Sequence, residues 1–264
     1  MTTTTKTMAE QVGELYRGAV FDTHIHFLRD AWDEIGTRSV FEKLDANGIE
    51  RALVSSIPDD GTLMLHEVDP RRIVPFYMPY RTLADMDDWY EDDDILALME
   101  ERLDRGIHVG IGEFHLYDAS NVFTPQFRRL LDLADERGLF LHSHSGSAEI
   151  NAIYRLKPDA KLIWAHAGLV EPAWQVAETM ERHPQLLADL SFRESSILSG
   201  RGLDPEWRAL LIRFADRFLL GSDPYTVPRW RAFKDILDVN RYWLAQMPVE
   251  AADAIARGNA QRVF

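Results

Sequence analysis

The chain has 264 residues, 46% of them hydrophobic, which is enough for one large domain or two small ones. Its formal net charge of −14 disfavours nucleic acid as a partner, because an acidic surface repels phosphate backbones. No cysteine is present, so disulfides and thiolate metal sites are excluded, and any metal must be bound by His, Asp or Glu.

The sequence contains no membrane signal. No run of about 18 apolar residues occurs, so we expect no membrane-spanning helix. Residues 1–11 are polar and threonine-rich and lack the apolar stretch of a secretory signal, which favours a cytoplasmic protein. We expect an N-terminal extension over residues 1–18 and a single domain over residues 19–264.

Strand-like and helix-like segments alternate along this domain. Near-continuous apolar runs, typical of parallel strands covered on both faces, predict eight strands. They span residues 19–26, 51–57, 73–80, 108–114, 139–144, 161–166, 186–191 and 218–223.

Helix signals lie between the strands. Thr124-Pro125 and Asp204-Pro205 are typical helix starts, and Gly138 is a typical helix end. Residues 39–47 predict only a short helix after the first strand, and further helices are expected after Pro228 and Pro248. Eight βα units predict an α/β fold: a distorted (β/α)8 TIM barrel with extra C-terminal helices, whose chemistry lies at the C-terminal ends of the strands.

Candidate metal ligands stand at these strand ends. His24 and His26 project from one face, because side chains i and i+2 of a strand point the same way. Asp22 could orient one of these imidazoles. His166 and Asp223 end the sixth and eighth runs. Such ligands suit a divalent metal, zinc first, with manganese, iron or nickel as alternatives.

The fourth and fifth strands leave alternatives open. We favour His144 as a ligand and place His142 one layer deeper, behind the ligands or against the substrate, although both can contribute. Glu113 can bridge two metals, hold the water of a single metal or contact the substrate. The ion count is therefore one or two. His115 lies on the same face as Glu113, two residues on, and is a candidate substrate contact.

Together these motifs resemble the amidohydrolase superfamily, and within it the amidohydrolase-related group of small metal-dependent TIM-barrel hydrolases and decarboxylases. The resemblance runs from Phe-Asp-Thr-His-Ile-His at residues 21–26 to Gly-Asn-Ala-Gln-Arg-Val-Phe at residues 258–264. It implies ligands on strands 1, 5, 6 and 8, here His24 with His26, His144 or His142, His166, and Asp223.

The fourth strand departs from the best-known binuclear members of that superfamily. Those members carry a carbamylated lysine there, and residues 107–117 contain no lysine. Glu113 instead resembles the strand-4 glutamate of the metal-dependent deoxyribonuclease branch, which serves the metals.

The ligand set predicts hydrolysis of an amide, lactone or ester in a small-molecule substrate. A divalent metal lowers the pKa of bound water to about 7, Asp223 would move the proton to the leaving group, and His166 would polarise the scissile carbonyl. Arg81, Arg193 and Tyr77 join His115 as candidate substrate contacts. The two arginines could clamp a carboxylate, and ion pairing with surface acids is the equal alternative.

Three other functions stay open. A decarboxylase of an unsaturated or aromatic acid would use one metal. A phosphoesterase or nuclease is favoured by Glu113 and disfavoured by the net charge. A non-catalytic barrel would bind a ligand without turnover. Trp230 and Trp243 fit either a core or a homo-oligomer interface.

Overall fold

A computed structural model describes residues 14–200 and 202–264. Eight parallel strands, each hydrogen-bonded to the next along the chain, form the sheet. They are β1 (Val20–His26), β2 (Ile49–Ser55), β3 (Ile73–Tyr77), β4 (Gly110–His115), β5 (Phe140–His144), β6 (Leu162–Trp164), β7 (Leu187–Asp189) and β8 (Phe218–Leu219).

The sheet curls until its last strand reaches its first. The Thr23 N–H donates to the Leu220 carbonyl and the Asp223 N–H donates to the His24 carbonyl, both at 2.8 Å. Gly221 permits this approach, because a Cβ atom there would lie 2.7 Å from the Cβ of His24. The predicted TIM barrel is confirmed.

Helices alternate with the strands, as the sequence predicts. They are α1 (Arg29–Glu34), α2 (Thr37–Ala46), α3 (Asp60–Val68), α4 (Asp93–Leu103), α5 (Pro125–Arg137), α6 (Ser147–Leu156), α7 (Ala173–Arg182), α8 (Pro205–Arg213), α9 (Val227–Arg231), α10 (Phe233–Leu244), α11 (Val249–Asp253) and α12 (Asn259–Val263). Among the described residues, 3₁₀ turns lie at Leu83–Asp87, Trp89–Glu91, Ala119–Phe123 and Ala165–Gly168, and a π turn lies at Ala254–Gly258. Leu198–Ser199 and Gly202–Leu203 form a small antiparallel ladder outside the barrel.

The predicted caps are confirmed. The Thr124 hydroxyl accepts the Phe127 N–H, and the Asp204 carboxylate accepts the N–H groups of Glu206 and Trp207. Gly138 ends α5 in the left-handed conformation, at φ 66°. The sequence predicts one short helix after β1, but this connection contains two helices, α1 and α2.

The C-terminal segment covers the end of the barrel at which the strands begin. Phe21, Leu53, Phe76 and Ile163 fill the interior there, and the ring of Phe264 packs beneath them. The opposite end of the barrel, where β1, β4 and β5 finish, is consequently the place where polar side chains collect.

Trp230 and Trp243 are fully buried, so both belong to the core. Tyr16, in the predicted extension, donates its hydroxyl to Asp253 at 2.7 Å. Residues 1–13 lie outside the described residues, so the extension over 1–18 and the single domain over 19–264 stay predictions. Across residues 14–200 and 202–264, no helix has the length and apolar character needed to cross a membrane.

Candidate metal centre

Four side chains from three parts of the barrel converge on one point at the C-terminal ends of the strands. His24 and His26 come from β1, Glu113 from β4, and Asp223 from the turn after β8. The Nε2 atoms of the two histidines lie 3.0 Å apart. Glu113 Oε2 lies 3.4 and 3.3 Å from them, and Asp223 Oδ1 lies 3.9 and 3.6 Å from them.

The separations among His24, His26 and Glu113 fit a metal ion, and so do those among His24, His166 and Asp223. Zinc–nitrogen bonds of about 2.0–2.1 Å place the ligands of a tetrahedral ion about 3.3–3.4 Å apart. Asp223 Oδ1 is also buried without a hydrogen-bond partner among the described residues. A buried carboxylate oxygen without a partner is costly, so its position here is explained by a cation that it would bind.

A second group of ligands lies on the other side of Glu113. Its Oε1 atom is 2.8 Å from His144 Nδ1 and 3.0 Å from His166 Nε2, and those two nitrogens are 3.2 Å apart. The two oxygens of one carboxylate therefore face two separate sets of histidines. A shift in the β4–β5 register at Glu113 is the local feature that aims this side chain inward.

His24, His26 and His166 present the lone pair of Nε2 to the centre because acceptors hold their Nδ1 nitrogens, whereas His144 faces Glu113 through Nδ1. His26 Nδ1 donates to the Ser55 carbonyl at 3.2 Å, and His166 Nδ1 donates to the Ser191 carbonyl at 3.1 Å. His24 Nδ1 lies 3.2 Å from the Asp189 carboxylate. Each neutral ring then carries its proton on Nδ1, and Nε2 can only accept or bind a metal.

The charges of the centre also favour a cation. Burial lowers the pKa of His24, but the carboxylates of Glu113, Asp189 and Asp223 outweigh burial and hold that pKa well above its usual range. Burial raises the pKa of Glu113, and the neighbouring histidines, His24 first, outweigh it and hold the pKa well below its usual range. The raised pKa of His24 means that the carboxylates stabilise positive charge at this point, and a divalent cation that displaces the His24 proton would be stabilised by the same carboxylates.

Asp189 is the functional residue that sequence reasoning missed. It is fully buried at the end of β7 and accepts from His24 Nδ1 and from His142 Nε2, the latter at 2.8 Å. The only signal was one carboxylate inside the apolar run of residues 186–190. His142 lies one layer below the ligands, bound to Asp189 and outside both groups that share Glu113.

Asp22 does not orient an imidazole. Its carboxylate accepts from the Ser222 hydroxyl, from the Ser222 N–H and from the His24 N–H, so it ties β1 to the turn that carries Asp223. Burial raises the pKa of this carboxyl to about 7.

Three candidate substrate contacts lie outside the cavity above the centre. Arg81 pairs with Asp85 and Asp92, which is the ion pairing left open by the sequence. Arg193 is buried and donates to the carbonyls of His166, Ala167 and Glu171, where it supports the turn after β6. Tyr77 packs against His108, away from the ligands.

The cavity itself has a volume of about 290 Å³ and opens above the ligands. His26, Glu113, His144, His166 and Asp223 form its polar floor, and His115 stands beside them. Its walls are mostly apolar, from Leu28, Ile57, Met78, Leu83, Met86, Leu169, Phe192 and Tyr225. No arginine or lysine lies among the described residues that line it.

Comparison with known proteins agrees with this architecture. The sequence model of a family described as Amidohydrolase matches residues 64–264. No curated protein sequence matches the chain.

Solved structures share the fold at low sequence identity. One, from Pseudomonas putida, is proposed to be a 2-pyrone-4,6-dicarboxylic acid hydrolase; it is 18% identical, with 93% of this chain and 97% of that chain covered and a TM-score of 0.66. An amidohydrolase from Burkholderia multivorans with bound zinc is 15% identical, with 93% and 99% covered and a TM-score of 0.60. A TatD homologue from Escherichia coli K12 is 18% identical, with 93% and 97% covered and a TM-score of 0.61.

Proposed function

This chain belongs to the amidohydrolase family and is a metal-dependent hydrolase, and we propose that it hydrolyses an amide, lactone or ester. Two divalent ions would supply the chemistry, one held by His24, His26 and Asp223 and the other by His144 and His166, with one oxygen of Glu113 available to each. One observation carries the ion count. Glu113 Oε2 faces His24 and His26, and Glu113 Oε1 faces His144 and His166. Zinc is the proposed metal, because imidazole and carboxylate ligands at tetrahedral spacing suit it.

Asp223 is the proposed general base. Divalent metals bound in this centre supply Lewis acidity and lower the pKa of water to about 7. Asp223 Oδ1 faces the centre, and the backbone of Asp223 is anchored to the His24 carbonyl. Its carboxylate would accept a proton from the attacking water and return that proton to the leaving alcohol or amine.

His166 serves as a ligand in this proposal. Its Nδ1–H is donated to Ser191, so its Nε2 has no proton to give to a substrate carbonyl. His166 is therefore proposed as a metal ligand next to His144 and not as the group that polarises the carbonyl.

The cavity favours a neutral substrate with a small apolar group. Its walls offer methyl, thioether and aromatic surface, and neither Arg81 nor Arg193 is among the residues lining it. The Pseudomonas protein is proposed to act on a dicarboxylic acid. A dicarboxylate placed here could meet the proposed metal ions at the floor, but its second carboxylate would lie against apolar walls with no arginine or lysine in the described lining, so we do not extend that substrate to this chain.

The test combines metal analysis with an ester assay. We expect about two equivalents of zinc per chain and hydrolysis of the neutral probe p-nitrophenyl butyrate. Asp223→Asn should lower kcat about 10³-fold, since general acid–base catalysis contributes 10²–10⁴-fold. Asp33→Asn, at an exposed position, is the matched control and should change neither quantity.

Undiminished activity in Asp223→Asn would remove this residue from the chemistry. One equivalent of metal together with release of CO₂ from an unsaturated or aromatic acid would instead favour the decarboxylase.

A further inference from the structure

His115 faces the cavity from the end of β4, and one of its ring nitrogens lies within 4.8 Å of a Glu113 oxygen and a His144 nitrogen, so distance alone would allow it to bind a metal. Its side chain is buried at the cavity wall, two residues beyond Glu113. Its ring stacks on His144, with the centroids 4.3 Å apart and the planes at 26°. In the described part of the chain, no hydrogen bond involves its Nε2 atom. The mechanism proposed above leaves this side chain without a role.

Tyr80 determines where the imidazole proton of His115 lies. The Tyr80 side chain is buried, and its hydroxyl oxygen accepts the backbone N–H of His115 at 2.7 Å. The same oxygen lies 2.9 Å from His115 Nδ1. The phenolic proton has one acceptor within reach among residues 14–200 and 202–264, and that acceptor is Nδ1. A buried hydroxyl that left its proton unused would forfeit a hydrogen bond after being desolvated.

This contact sets the tautomer. A nitrogen that accepts from Tyr80 carries no proton, so a neutral His115 ring carries its proton on Nε2. A metal-bound Nε2 would require the opposite tautomer, with Nδ1–H pointing at a hydroxyl that already accepts from the His115 backbone. The hydrogen bonding of Tyr80 therefore makes His115 a donor to the cavity and disfavours it as a ligand.

We propose that His115 donates a hydrogen bond from Nε2 to the carbonyl oxygen of the substrate, and that Tyr80 is the positioning residue that fixes this proton. The identity of the acceptor rests on the proposed hydrolase function, while the tautomer does not. The carbonyl oxygen gains negative charge as water adds to the carbon. A donor held in place beside it, among apolar walls, stabilises that charge without having to reorient.

Nitrogen-15 NMR of imidazole-labelled, zinc-loaded protein tests the tautomer. The His115 signals are assigned by their loss in His115→Gln. We expect the Nε2–H tautomer in the unmodified protein and a mixture of both tautomers in Tyr80→Phe. Tyr90→Phe is the matched control, because the Tyr90 hydroxyl donates to the Asp87 carbonyl instead. An Nδ1–H tautomer in the unmodified protein would overturn the proposal.

The donor role is tested with butyramide, a neutral carbonyl compound. Adding it to the zinc-loaded protein should shift the Nε2–H resonance of His115, and an unmoved resonance would contradict the proposal. This readout does not depend on turnover, so failure to hydrolyse p-nitrophenyl butyrate would count against the proposed function alone.

The kinetic counterpart is a split between kcat and KM. His115→Phe should lower kcat for p-nitrophenyl butyrate about 10²-fold, the effect of removing one such donor, with zinc content and KM little changed. His115→Gln, which keeps an N–H donor, should recover part of the loss. Loss of one zinc equivalent in His115→Phe would make His115 a ligand and refute the donor assignment.

Discussion

Both histidines of β1 have an acceptor at Nδ1, on the side of the ring away from the metal centre. His26 is held by the Ser55 carbonyl, and His24 is held by Asp189, whose carboxylate also accepts from His142 and Ser191. Asp189 is the only one of these acceptors that carries charge. It therefore both orients the His24 ring and makes its Nε2 a stronger base toward a metal.

We expect Asp189→Asn to weaken zinc binding about 10–100-fold, the usual effect of removing such an outer partner. The amide keeps the size of the carboxylate but loses its charge and half of its acceptor capacity. Competition with a fluorescent zinc chelator measures the change in Kd. Asp159→Asn, on the exposed surface, is the control and should bind zinc as the unmodified protein does. Equal Kd values in all three proteins would contradict the orienting role.

For single residues, the sequence predicts a position in the site where the spacing along one strand is enough to fix the direction of the side chain. His24 and His26 share a face because they are two residues apart in a strand. Asp189 and Arg193 could not be placed in the same way. Their roles depend on residues distant in sequence, His24 for Asp189 and the turn at His166 for Arg193.

The elements show the same division between local and non-local information. The caps of α5 and α8 were predicted because Thr124-Pro125 and Asp204-Pro205 act on their own helices. The sequence predicts that β6 ends at residue 166 and β8 at residue 223, but the strands end at Trp164 and Leu219. The chain leaves these strands early, with His166 at φ 57° and Asp223 at φ 49°. Positive φ angles are uncommon for residues other than glycine, so the local sequence does not predict where these two strands end.

The contacts that hold α12 against the barrel are also revealed only by the tertiary structure. The Asn259 amide is buried and donates to the carbonyls of Ala215 and Phe218 at 2.7 and 2.8 Å, which ties this last helix to β8. We expect Asn259→Ala to lower the free energy of unfolding by about 2 kcal/mol, because two carbonyls lose their donor. Urea denaturation measures it.

Gln261→Ala, on the exposed side of the same helix, controls for helix propensity and should leave stability nearly unchanged. If the two variants unfold at the same urea concentration, the Asn259 contacts contribute nothing to holding α12 in place.

At the scale of the whole molecule, three carboxylates are buried together at one end of the barrel. Glu113, Asp189 and Asp223 all lie there among the histidines of the centre. Burying three carboxylates together costs free energy, and a divalent cation bound at this end would offset that cost. Metal binding should therefore contribute to the stability of the whole fold as well as to the chemistry.

We expect zinc at both sites to raise Tm by about 10–20 °C. Ligand at 100 times its Kd stabilises a folded protein by about 2.7 kcal/mol per site, and 1 kcal/mol shifts Tm by about 2–4 °C in a domain of this size. Calorimetry with zinc and with a chelator measures the shift. His26→Ala, which removes a ligand from one group only, should retain part of it, because His144 and His166 still face Glu113. The same Tm with zinc and with chelator would mean that this end of the barrel tolerates its buried carboxylates without a cation.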